Sequence, residues 1–161
     1  MKNKFVTDGM LGSLARKLRI FGYDTIYDAK MINEKILEVA QTEKRIILTS
    51  NTRLDQNAIK KKVNCILLNE ESDYDRLCKV LEDEWEKGSH LLPQEARCSI
   101  CNGEMIQVTK KEVSNLVPKG VRDYHEKYYR CTSCGKVYWI GGHWERLYAL
   151  SEKIIKRFQQ T

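Results

Sequence analysis

The sequence predicts an α/β protein: a parallel sheet sandwiched by helices, followed by a small cysteine-bearing module and a C-terminal helix. Three observations predict it. Short β-branched runs alternate with stretches of helical periodicity through the first 90 residues. Two Cys-x-x-Cys pairs, Cys98/Cys101 and Cys131/Cys134, stand in the remainder. The basic excess is confined to that same part: residues 1–92 carry 16 Lys+Arg against 15 Asp+Glu, and residues 93–161 carry 12 against 7.

Lys4-Phe5-Val6-Thr7 reads as a first strand, and Met10, Leu11, Leu14 and Leu18 then recur at helical spacing up to the terminator Gly22. Thr25-Ile26-Tyr27 is a second strand, and Asn33 is placed to cap a helix bearing Ile36, Leu37 and Ala40. Arg45-Ile46-Ile47-Leu48-Thr49 is the clearest strand, continuous and β-branched as a strand buried on both faces should be. A helix over about residues 52–62, the strand Asn64–Leu68 and a helix starting at Ser72 with Asp75 three residues on complete the alternation. Leu77, Leu81 and Trp85 lie on the apolar face of that last helix.

Such alternation makes a parallel sheet, in which ligands sit beyond the carboxyl ends of the strands. Asp8, Asp28, Asn51 and Asn69 or Glu70 occupy those ends. Gly88–Pro93 reads as a linker, dividing the chain into residues 1–90 and 91–161. In the second part, strands are expected at Met105–Thr109, up to Tyr128-Tyr129-Arg130, and at Val137–Ile140, with a polar excursion around Pro118 and Gly120. A helix runs from Trp144 to Phe158.

No apolar run approaches the ~18 residues of a membrane span. Lys2, Lys4 and Asp8 leave no room for a signal-peptide core, so the expected location is cytoplasmic. Without a secretory signal, paired knuckles point to metal rather than to disulfides. Two thiolates two residues apart reach one ion, and two such knuckles close a tetrahedral zinc site with no open position, hence a structural one. Gly103 and Gly135, trailing the knuckles, suit the tight turns required. A module carrying its own metal is expected to fold and unfold independently of the first part.

Asp8 and Asp28 end the first two strands, where clustered carboxylates hold Mg²⁺ or Mn²⁺ against a phosphodiester; strand-end Asp also caps helices and forms turns. Arg16, Lys17 and Arg19 either meet a phosphate backbone or form a solvated helix face. Tyr129, Trp139 and Trp144 are interleaved with Arg130 and Arg146 beside His143, a pattern that stacks unpaired bases and meets phosphates, although part of it must form the ribbon's own core. Lys60-Lys61-Lys62 is explained by the C-terminal dipole of its helix.

The run Phe5-Val6-Thr7-Asp8-Gly9-Met10-Leu11-Gly12-Ser13-Leu14-Ala15-Arg16-Lys17-Leu18-Arg19, with Phe21-Gly22-Tyr23-Asp24 and Tyr27-Asp28 after it, resembles the PIN-like family named for the mut-seven C-terminal ribonuclease domain. Tyr129-Arg130-Cys131-x-x-Cys134-Gly135 and Val137-Tyr138-Trp139-x-Gly141-x-His143-Trp144-Glu145-Arg146 resemble its zinc-ribbon end. The resemblance implies a PIN-like fold, metal-dependent RNase activity with Mg²⁺ or Mn²⁺, and a structural zinc ribbon. It places Asp8 at the first acidic position and supports Arg16 and Arg19 as RNA contacts. At two further positions where the family carries Asp, this chain has Asn33, followed by Glu34, and Asn51. The expected function is therefore a ribonuclease, with the metal site weakened by two amides. The rivals are a non-catalytic RNA- or ribosome-binding protein, or an adaptor using the ribbon.

Overall fold

The computed structural model describes residues 2–82 and 95–160. The linker expected at 88–93, the division at 90/91 and Trp85 lie outside the described residues. The first part contains β1 (Phe5–Thr7), α1 (Gly12–Ile20), β2 (Thr25–Ile26), α2 (Asn33–Glu43), β3 (Ile46–Thr49), α3 (Thr52–Lys60), β4 (Cys65–Leu67) and α4 (Asp73–Leu81). The four strands are parallel in the order β2-β1-β3-β4. The expected helix-sandwiched parallel sheet is what the chain forms.

Alternation along the strands sorts the two faces. Phe5 and Leu48 point to one side, among Leu14 and Leu18 of α1 and Leu77 and Leu81 of α4. Val6 and Ile47 point to the other, among Ile36, Leu37 and Ala40 of α2 and Leu54 and Ala58 of α3. Local signals hold at most ends. Gly22 takes a left-handed φ of +86° after α1, and the Ser72 side chain accepts from the Asp75 backbone N–H at 3.1 Å to cap α4. Two expectations are corrected. Met10 is 83% exposed rather than part of the α1 stripe. Asn33 is the first residue inside α2 rather than its cap, because the chain stays extended at Ile32 (φ −77°, ψ 157°), which has no side-chain cap to offer.

The second part is an antiparallel sheet of β5 (Met105–Val108), β6 (Tyr128–Cys131) and β7 (Val137–Trp139) in that order. The excursion between β5 and β6 is structured: it contains α5 (Lys119–Tyr124) and folds Val113 and Val117 against Tyr128 in a small core of its own. The last helix, α6 (Gly142–Gln159), leaves the ribbon and returns to the first part, where Leu147 and Ile154 enter the core formed by α1 and α4.

The two parts also meet at the amino ends of the parallel strands. Arg19, 4% exposed, donates from Nε to the Thr25 carbonyl (2.9 Å) and from Nη1 to the carbonyls of Ser99 (3.0 Å) and Ile100 (3.1 Å). Asn102 accepts from the Thr25 backbone N–H (3.0 Å) and donates to Asp24 Oδ1 (2.7 Å). Asp24 is held in turn by buried Arg45, through Nη1–Oδ1 at 2.8 Å and Nη2–Oδ2 at 3.2 Å. The first cysteine knuckle is thus bonded directly to the edge of the parallel sheet. Leu147, Ile154, Arg19 and Asn102 thus join the two parts.

Candidate active site and metal centre

In the order β2-β1-β3-β4 the connections leave β1 in one direction and β3 in the other, so the crevice for a ligand opens beyond the carboxyl ends of β1 and β3. Asp8 sits there, 5% exposed. Its backbone N–H donates to the Leu48 carbonyl at 3.1 Å, and its carboxylate is fixed by three donors. Oδ1 accepts from the Met10 N–H (2.8 Å); Oδ2 accepts from the Ser50 N–H (3.0 Å) and from the Thr49 hydroxyl. A carboxylate offers about four lone-pair sites, so one remains free, on Oδ1. Asn51 follows in the same loop, but its Oδ1 caps α3, accepting from the N–H groups of Arg53 (2.9 Å) and Leu54 (3.3 Å).

The other sequence candidates at this end are less engaged. Asn33 is half-buried and Glu34 exposed in the first turn of α2. Asp28 is exposed and turns its Oδ1 onto the Lys30 N–H (2.8 Å), and Glu70 pairs with Lys79 at 2.8 Å. Beneath the crevice, burial pushes the Cys65 thiol up to about 12, helped by its hydrogen bond with Asp55 and by the charges of Asp55 and Asp8. Among the described residues, Asp8 does not converge with two other acids; the four late cysteines form the one such group. Mg²⁺ usually takes one or two carboxylates plus substrate phosphates. One free lone pair on Asp8 and none on Asn51 do not make a preformed divalent-cation site.

The cysteines do fit zinc. Their Sγ atoms all lie within 4.8 Å of one another. Cys98 and Cys134 approach to 3.7 Å and Cys101 and Cys131 to 3.4 Å, against about 3.8 Å for a tetrahedron with Zn–S bonds of ~2.3 Å. Cys98 and Cys131 are buried, Cys101 and Cys134 exposed. The surrounding donors favour thiolate at Cys98 and Cys131, whereas burial and the neighbouring sulfurs push the Cys101 thiol up to about 12. Tyr138 Oη lies 3.1 Å from Cys98 Sγ and 3.2 Å from Ser99 Oγ. Burial opposes the Cys131 thiolate, yet the backbone N–H groups of Cys134 and Ser133 bring its pKa down to about 6. The two trailing glycines act differently from each other. Gly135 takes the left-handed φ of +76°, whereas at the first knuckle Asn102 does so (φ +68°). Gly103 instead leaves room for the thiolates, since a Cβ there would come 2.7 Å from Cys131 Sγ.

The sequence-predicted RNA contacts separate into groups. Arg16 is exposed on α1, while Arg19 is buried with its guanidinium committed to three carbonyls. Tyr129, Trp139, His143 and Trp144 line one cavity of about 90 Å³ with Ile20 and Leu147. The indole N–H of Trp144 is buried there without an acceptor among the described residues. Arg130 and Arg146 are exposed, the latter 3.4 Å from His143 Nδ1. Sequence reasoning missed the Thr49 and Ser50 donors, although a Thr-Ser pair at the end of a central strand was their signal. It also missed the joining role of Asn102, for which the sequence carries no signal.

A parallel sheet with an acid fixed at its switch point, joined to a ribbon whose four cysteines gather closely enough to hold a metal, defines an α/β class. The model of the Mut7-C RNAse domain matches residues 3–151, nearly the whole chain, and the protein belongs to that family. Membership supports a ribonuclease with RNA as its substrate. No curated protein and no solved structure matches the chain. No helix among the described residues is long and apolar enough to cross a membrane.

Proposed function

We propose that the protein cleaves RNA at the crevice between the carboxyl ends of β1 and β3, with Asp8 as the acting carboxylate. The fixation of Asp8 carries this reading: three donors hold one buried carboxylate rigidly and leave one lone pair free. That lone pair is suited to take a proton from the attacking water or ribose hydroxyl, work worth roughly 10²–10⁴ in rate. Asn33, at the start of α2, and Asn51 belong to the same end of the sheet and would contact substrate rather than supply charge, while Glu34, next to Asn33, is the further carboxylate at that end. The Mg²⁺ or Mn²⁺ dependence that the family resemblance implies is weak in this proposal, because Asn33 brings no charge and the Asn51 side-chain oxygen is taken by α3. A second reading, an RNA- or ribonucleoprotein-binding protein with a degenerate site, is favoured by the commitment of Asn51 to capping α3. Cysteines gathered on a candidate metal site suit a reducing compartment such as the cytoplasm.

Purified zinc-loaded protein incubated with total RNA, with and without added Mn²⁺, tests the assignment beside Asp8→Ala. Slow cleavage that disappears in Asp8→Ala is expected. Equal cleavage by both proteins would remove Asp8 from the reaction. RNA retention without cleavage in either condition would establish the binding reading instead.

A further inference from the structure

The structured excursion between β5 and β6 gathers cations for which the chain provides almost no partners. Lys110, Lys111, Ser114, Lys119, Arg122 and Asp123 line an open cleft of about 550 Å³. Asp123 is the one acid in that lining. Lys110 is bridged to Glu126 at 2.9 Å, but Lys111, Lys119 and Arg122 make no ion pair with any described residue. The Nε–H of Arg122 is buried and finds no acceptor among the described residues. A second cleft of about 520 Å³, which adds Gln107, Thr109 and Glu126, shares Lys110 and Lys111. Cations that outnumber the acids around them repel one another, and a polyanion relieves that repulsion.

Resting on the RNA reading above, we propose that this cleft is a binding site for the phosphate backbone of single-stranded RNA. The single strand is indicated by Tyr124, which stands 86% exposed on α5, two residues beyond Arg122. Its ring lines neither cleft, but Asp123, the residue before it, does, so a strand leaving the cleft passes the end of α5, where an exposed ring can stack an unpaired base. The aromatic group of Tyr129, Trp139, His143 and Trp144 serves this purpose less well. Its cavity of about 90 Å³ holds one ring at most, far below the ~300 Å³ of an ordinary ligand pocket, and Trp144 and Leu147 pack into the core of the first part.

The test uses full-length, zinc-loaded protein and a labelled single-stranded RNA, with affinity measured over a salt series and no added Mg²⁺ or Mn²⁺. The triple change Lys111→Ala, Lys119→Ala, Arg122→Ala is compared with Lys60→Ala, Lys61→Ala, Lys62→Ala, which removes the same charge from the end of α3. Each phosphate contact on a single strand contributes ~0.7 to the slope of log affinity against log salt, so the cleft variant should lose about 2 from that slope. The control variant should lose little, and Tyr124→Ala should weaken binding without changing the slope. Lys111→Glu, at an exposed position, should reproduce the direction of the effect if the triple variant folds poorly. An unchanged slope in the cleft variants, an equal loss in the control, or equal competition by polyglutamate would overturn the proposal. Cleft-dependent binding without cleavage would sustain it while overturning the ribonuclease reading; cleavage with cleft-independent binding would do the reverse.

Discussion

Asn51 shows how one residue serves the element next to it rather than the crevice it borders. Both lone pairs of its side-chain oxygen are taken by the first turn of α3. Asp caps a helix about as well as Asn, so Asn51→Asp should leave stability within about 1 kcal/mol while adding a charge near Asp8. Together with Asn33→Asp, it should raise Mn²⁺ affinity at least tenfold by calorimetry and speed cleavage of the same RNA. Clustered carboxylates repel, so one of them should titrate above its usual range in the metal-free variant. Unchanged affinity would mean that position 51 does not face the ion. At this scale the sequence was informative about Asp8, because an acid directly after a strand is placed by topology alone. It was uninformative about Arg19, since a basic residue near the end of a helix looks the same whether it meets water or a carbonyl cluster 80 residues away.

Among elements, the contact of the first knuckle with β2 is held by buried polar groups. Removing one partner from such a cluster is costly because the others stay buried without it. Arg19→Ala should therefore lower stability by about 2–4 kcal/mol in urea unfolding, and Arg19→Lys should not restore it, since one ammonium cannot span the carbonyls of Thr25, Ser99 and Ile100. Asp24 makes the same contact sensitive to pH. Burial alone would raise its pKa, but the hydrogen bonds from Arg45 and Asn102 outweigh burial and hold it below the usual carboxylate range. A carboxylate depressed in the folded state contributes its stability above the unfolded value of about 3.9 and loses it as pH falls through the folded value. Wild type should then lose more stability than Asp24→Asn between pH 5 and about pH 3, read from urea midpoints. Equal losses would place the acid sensitivity elsewhere. The elements themselves were largely readable from periodicity. The Lys119–Tyr124 helix was not, because six residues following Pro118 carry too few apolar positions to show a period.

On the scale of the whole molecule, the decisive feature is the return of α6 to the first core. Its amphipathic pattern was visible, but a pattern does not name its partner, and the ribbon looked like the nearer one. Leu147 and Ile154 are 6% and 0% exposed against α1 and α4. Burying side chains of this kind contributes roughly 1.5–3 kcal/mol each, so the two together supply about 3–6 kcal/mol to a core whose total stability is of the order of 5–15. The bonds from Arg19 and Asn102 add to this and depend on the knuckle keeping its shape. The four cysteines that shape the knuckle lie close enough to hold one zinc ion, and in small metal modules metal binding is folding energy. Replacing Cys131 by Ser, or stripping zinc with a strong chelator, should therefore destabilise the parallel-sheet part as well as the ribbon. Hydrogen exchange at Ile47 and Leu48, in the central strand of the first core, should accelerate along with exchange at Tyr129 in the ribbon. Wild-type melting by circular dichroism should show one transition that shifts down as a unit on zinc loss. If Ile47 and Leu48 keep their full protection without zinc, α6 docks independently of the metal, and the ribbon is an appendage rather than a support.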